Sequence, residues 1–95
     1  MIEIIATIRK NFGSKMSRRI RKKNKLPAII YGKSKKNLGI EIEHDKFINF
    51  FKIKNFHKQD VLLIIENKEY LVKIKKIDWH VFKTKILHVD FNFKN

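Results

Sequence analysis

Residues 60–78 read DVLLIIENKEYLVKIKKID. Asp60 to Glu66 is an apolar run of strand length, rich in β-branched residues. Asn67-Lys68 follows as a two-residue hairpin turn, because Asn tolerates positive φ. Glu69 to about Asp78 returns as the partner strand. This hairpin sets the expectation for the chain: strands joined by short turns in an antiparallel arrangement.

The flanking segments extend the pattern. In residues 2–9, Ile2, Ile4, Ala6 and Ile8 point one way, and Glu3, Ile5, Thr7 and Arg9 the other. That alternation is a half-buried strand, broken by Asn11 to Ser14. Residues 28–31 form a short apolar strand, and Leu38 to His44 another, with Leu38, Ile40 and Ile42 inward and Glu41 and Glu43 in water. The last strand is KILHVDFNF, residues 85–93. Leu87, Val89, Phe91 and Phe93 are expected inside, and Ile86, His88, Asp90 and Asn92 outside. A loop at His80 to Lys83 precedes it.

Two helices are expected. A short one is capped by Ser17, carries Met16 and Ile20 on an apolar edge, and ends before Pro27, because the residue preceding a proline disfavours helix. The second is capped by Asp45 and runs through DKFINFFKIKNF, with Phe47, Ile48 and Phe51 on one face. The fold class is therefore mainly β with short helices (α+β). About six strands form an antiparallel sheet or small closed barrel, with helices over its openings.

Charge narrows the function. The 95 residues hold 23 Lys and Arg against nine Asp and Glu, a formal net charge of +14. No acid lies between Glu3 and Glu41, whereas twelve cations lie in residues 4–40. Lys, Ile, Asn and Phe share A- and T-rich codons, so codon drift can add surface lysines. The four arginines are the better signal, and all fall between positions 9 and 21. This clustering points to a polyanion, with the Arg-rich helix laid against phosphates. Residues 33–37, KSKKN, add a basic loop.

Other chemistries find little support. Cysteine is absent, so disulfides and thiolate metal sites are excluded. His44, His57 and His80 have no metal-ligand spacing. No apolar run reaches the roughly 18 residues of a membrane span, and the start of the chain lacks signal-peptide order. A single cytoplasmic domain is expected, with no cofactor. His88 and Asp90 project from one strand face about 7 Å apart. They could contact a ligand, act as a general base oriented by an acid, or form an ordinary exposed face. Tyr31 could be core or an edge ring open to stacking, and Trp79 core or binding. An RNA-processing enzyme, a tRNA-binding module and an anionic-membrane binder are rival readings. The last lacks the aromatic and Leu-rich helix face it requires.

Five segments in order carry a family likeness: Ile8-Arg9-Lys10, Ser17-Arg18-Arg19-Ile20-Arg21, NKLPAIIYG from Asn24 to Gly32, His44-Asp45-Lys46, and His88-Val89-Asp90-Phe91. Along essentially the whole chain, the sequence resembles the short, single-domain form of the bacterial large-subunit ribosomal protein twenty-five family. The resemblance implies a six-stranded β-barrel like that of glutaminyl-tRNA synthetase anticodon-binding domains. It also implies a non-enzymatic protein, monomeric when free, that joins the large ribosomal subunit by binding the loop E region of 5S rRNA. The family's RNA contacts match at Arg9, Arg18, Tyr31, His88 and Asp90, with Ser17, Arg19 and Arg21 beside them. Departures are Ser14-Lys15-Met16, where the family is richer in glycine, and His80-Val81-Phe82 and Thr84, where it has prolines. The latter imply a looser loop.

Overall fold

A computed structural model describes residues 2–9, 14–32 and 36–94, with the side chains of 14–17 and of 57 outside the description. The expected break at 11–13 and most of the KSKKN loop lie outside the described residues, as do the side-chain roles expected of Met16 and Ser17.

The elements are β1 (Ile2–Ile8), α1 (Ser14–Lys22), β2 (Lys25–Tyr31), β3 (Leu38–Glu43), α2 (His44–Asn49), β4 (Asp60–Ile65), β5 (Lys68–Trp79) and β6 (Ile86–Phe93). Two 3-10 turns, Phe50–Lys52 and Phe56–Lys58, link α2 to β4. The strands close into a barrel in the order β1-β3-β2-β6-β5-β4, with β4 returning to β1. The antiparallel expectation holds for four of the six pairings. The pairings β1/β4 and β2/β6 are parallel, so the barrel is mixed. Alternation within a strand carries no information about the direction of a distant partner.

Period-two patterning fills the interior. Ile4, Ala28, Ile30, Ile40, Ile42, Val61, Leu63, Val72, Val89 and Phe91 are all buried. Phe47 of α2 is fully buried and meets Phe91 edge-to-face at 6.3 Å and Phe56 at 5.5 Å. It closes one mouth of the barrel, and burying one such ring contributes about 1.5–3 kcal/mol.

Three local expectations are corrected. Ser17 lies inside α1 rather than at its start. The helix does end before Pro27, at Lys22, and Asn24, whose φ of 61° is the left-handed conformation that ends helices, marks the stop. Pro27 sits within β2 opposite Glu41, and pairing to β6 begins only at Ala28, so no donor is missed there. α2 ends at Asn49, and Glu43 rather than Asp45 occupies its N-cap position without a side-chain cap. The hairpin turn is Glu66-Asn67, with φ of 50° and 65°, and Lys68 already pairs with Ile65.

The final correction affects the site. β5 and β6 pair Asp78 with His88 and Trp79 with Ile86, which leaves Leu87 as an extra residue. This bulge turns Ile86, rather than Leu87, into the core. Downstream of it His88 and Asp90 face outward, as their spacing predicts.

Candidate nucleic-acid interface

β2 lies between β3 and β6 and sets the spacing of the site. Ile29 pairs with Gly39 on one side and Asp90 on the other, and Asp90 in turn pairs with Lys76. The Arg9 backbone N–H donates to Gly39 O at 3.0 Å. Arg9 and Asp90 therefore end one transverse row, separated by two strands. Gly39 contributes no side chain to that row, which leaves room over the sheet for the arginine.

The outward expectation for Arg9 needs correction: the residue is only 8% exposed. Burial pulls its guanidinium below the ordinary arginine value, Glu41 opposes this, and Arg21 adds to it. Arginine stays charged under such a shift, so this is a cation held largely out of water. Arg21, half-buried near the end of α1, donates from Nη1 to Leu87 O at 3.2 Å. The β6 bulge makes that carbonyl available. Ile20 is buried and anchors the same helix.

His88 and Asp90 are 24% and 19% exposed at the side chain. Burial pushes the His88 imidazole below its ordinary value; Asp90 opposes this, Arg9 adds to it, and Asp78 and Arg21 contribute less. The ring is therefore neutral near pH 7. Its Nδ1 lies 3.2 Å from Asp90 Oδ1 without hydrogen-bond alignment. Among the described residues, that buried oxygen accepts from no donor. An unsatisfied buried acceptor costs roughly 1–3 kcal/mol, and a ligand donor would remove the cost.

The structure thus brings Arg9, Arg21, His88 and Asp90 into one cluster. Tyr31 lies farther along β2, opposite Asn92. Its ring is half-buried, with Lys75 Nζ 4.9 Å from the centroid. Arg18 and Arg19 are exposed on α1. Ser17 has no described side chain. Lys75 was not anticipated from the sequence; a register shift between Ile74 and Lys76 sets it apart from the regular pairing, and only the Lys-Lys doublet in the strand hinted at an irregularity. Trp79 packs against Phe51 at 5.0 Å and is partly exposed. The loop after it is tied by His80 Nδ1, which accepts from the Phe82 and Lys83 N–H groups, despite the missing prolines.

A second polar cluster fixes the frame. His44 is buried, and its Nε2 accepts from the Ile86 N–H at 2.9 Å, while Nδ1 meets Asp45 Oδ1 at 3.2 Å. That pattern assigns the proton to Nδ1. Asp45 Oδ2 accepts from Asn24 Nδ2 at 2.9 Å, and the His44 N–H donates to Asn24 O. Hydrogen bonds from Asn24 and then His44 hold the Asp45 carboxyl below its ordinary range. One network therefore joins the turn after α1, the start of α2 and the start of β6. Among the described residues no group could hold a metal, and no helix is long and apolar enough to cross a membrane.

The sequence profile of the Ribosomal L25p family matches residues 4–91. The chain belongs to that family. It is 45% identical over 92 residues to the large ribosomal subunit protein bL25 of Buchnera aphidicola subsp. Baizongia pistaciae, covering 96% of this chain and 95% of the relative. It is 41% identical over 91 residues to the bL25 of Photorhabdus laumondii and 43% identical to that of Klebsiella pneumoniae, covering 96% of this chain and 97% of each relative. L25p-family membership makes the protein non-enzymatic. His88 and Asp90 are accordingly not a general base and its orienting acid. The L25p-family likeness drawn from five short segments extends over the barrel as a whole.

Proposed function

We propose that the protein is a structural constituent of the large ribosomal subunit in the cytoplasm, and that this one barrel binds the loop E region of 5S rRNA. The RNA surface is the outer side of β2 and β6 together with α1. Arg18 and Arg19 lie on the exposed helix and supply phosphate contacts. Tyr31 offers a half-buried ring for stacking. Arg9, Arg21, His88 and Asp90 make the contacts specific to the site. RNA helices are read mainly by shape and by 2′-hydroxyl and phosphate contacts, which suits a fixed, partly buried polar cluster.

One observation carries this reading: the buried Asp90 Oδ1 with no donor among the described residues, on a chain of net charge +14. A carboxylate on a phosphate-facing surface is repelled unless a base N–H or 2′-hydroxyl donates to it. The neutral His88 beside it can accept or donate without adding a phosphate-seeking charge. The test is a calorimetric titration of loop E RNA, with plain duplex RNA and bulk tRNA as competitors. Asp90→Ala should weaken loop E binding about 5- to 150-fold, corresponding to roughly 1–3 kcal/mol, while leaving the salt slope unchanged. Unchanged affinity would remove Asp90 from the site, and equal competition by tRNA would favour a general tRNA-binding barrel.

A further inference from the structure

The barrel has two outer sides of opposite character. In the ring order β1-β3-β2-β6-β5-β4, strands β1 and β4 lie across the barrel from β6 and β2. A solvated sheet face is usually polar, but this one is not. Ile5 on β1 is 74% exposed and pairs with Ile64 of β4. The next outward position of β4, Leu62, pairs with Leu71 of β5. Ile64, Leu62 and Leu71 are only half-buried, so one apolar stripe crosses three strands.

Carboxylates flank the stripe. Glu3 pairs with Leu62 and Glu69 with Ile64. Among the described residues neither has a cation at ion-pair distance, on a chain with 23 Lys and Arg. A pocket of about 260 Å³ opens beside Ile5, walled in part by Glu3, Glu41 and Phe50 and also by Lys25 and Lys46, both of which are paired with Glu43. Unpaired acids repel phosphate, so RNA is a poor occupant. A second copy laid on the same stripe would bring like rim charges together. A protein segment with aliphatic or aromatic side chains flanked by Lys or Arg fits both the apolar centre and the acidic rim.

We infer that the outer face of β1, β4 and β5 docks a basic protein segment while the opposite side holds RNA, an inference that rests on the ribosomal reading above. Large-subunit particles lacking this protein provide the test. Wild type, an Ile5→Ser/Ile64→Thr variant and a Glu3→Gln/Glu69→Gln variant are titrated onto isolated 5S RNA and onto the particles. Both variants should bind 5S RNA like wild type, yet bind the particles about tenfold more weakly. A benzophenone side chain at position 5 should crosslink to a Lys- and Arg-rich protein. Particle binding by both variants as tight as that of wild type, or a crosslink to RNA or to a second copy, overturns the inference. Failure of the wild type itself to join the particles overturns the ribosomal reading and this inference with it.

Discussion

His44 and His88 each place Nδ1 3.2 Å from the Oδ1 of a neighbouring aspartate. Around His44 the polar atoms are used internally. Nε2 accepts from the Ile86 N–H, and Asp45 accepts hydrogen bonds from Asn24 and His44. Around His88 they are not, because Asp90 Oδ1 is buried without a donor among the described residues. The residue types and the separation are the same, so neither distinguishes a structural pair from a binding pair. Satisfaction does: a closed network holds three elements in place, whereas the open acceptor beside His88 is available to a ligand.

The largest expected effect breaks the closed pair. His44→Ala removes a buried ring and orphans the Ile86 N–H, and should cost about 2–4 kcal/mol of stability by denaturant unfolding. RNA affinity per folded molecule should be little changed. A strong affinity loss in a fully folded His44→Ala protein would mean the two clusters are coupled.

Breaking the open pair should do the reverse. Asp90→Ala should leave stability unchanged or slightly raised, since an unsatisfied acceptor is removed, while weakening RNA binding as stated above. Arg18→Ala tests the neighbouring helix: a loss of about 1–3 kcal/mol on loop E RNA is expected, with a smaller loss on plain duplex. An equal loss on both would make Arg18 a phosphate anchor only.

Acid should separate the pairs without mutation. The folded-state pKa of His88 lies below the ordinary 6.5, so the unfolded chain takes up its proton first as pH falls. Stability from this neutral ring is present above 6.5 and declines as pH drops from there toward the lowered folded value. Asp45 is also lowered, from an ordinary 3.8, and its contribution is kept until pH falls into and below that carboxylate range. Unfolding free energy measured from pH 7.5 to 5 should fall in wild type and fall less in His88→Asn. An identical slope in both would contradict the assignment of a buried neutral His88.

How much was visible beforehand follows from the range of each interaction. Val89, Phe91, His88 and Asp90 were placed correctly, because period-two alternation is local. Ile86 and Leu87 were exchanged, because a bulge depends on what β5 does opposite them. Arg9 was expected outside and is buried, since an outward strand position is exposed only if nothing lies over it. The run Asp60 to Glu66 read correctly as a strand, yet its apolar continuity concealed that Leu62 and Ile64 would face out. The turn fell one residue early in the chain, at Glu66-Asn67, because Glu is an unusual choice for positive φ. That yields the smallest prediction: Glu66→Asn should raise stability by up to about 1 kcal/mol in thermal unfolding, and a decrease would argue for a Glu66 contact that the turn geometry does not require.

The central claim is that the open His88–Asp90 side meets loop E of 5S rRNA. A hydroxyl-radical footprint of 5S rRNA with wild type and Asp90→Ala tests it most directly. The expected result is protection confined to loop E and its flanking pairs, lost or sharply weakened for Asp90→Ala at the same protein concentration. Protection elsewhere on the RNA, or an identical footprint from both proteins, would contradict it.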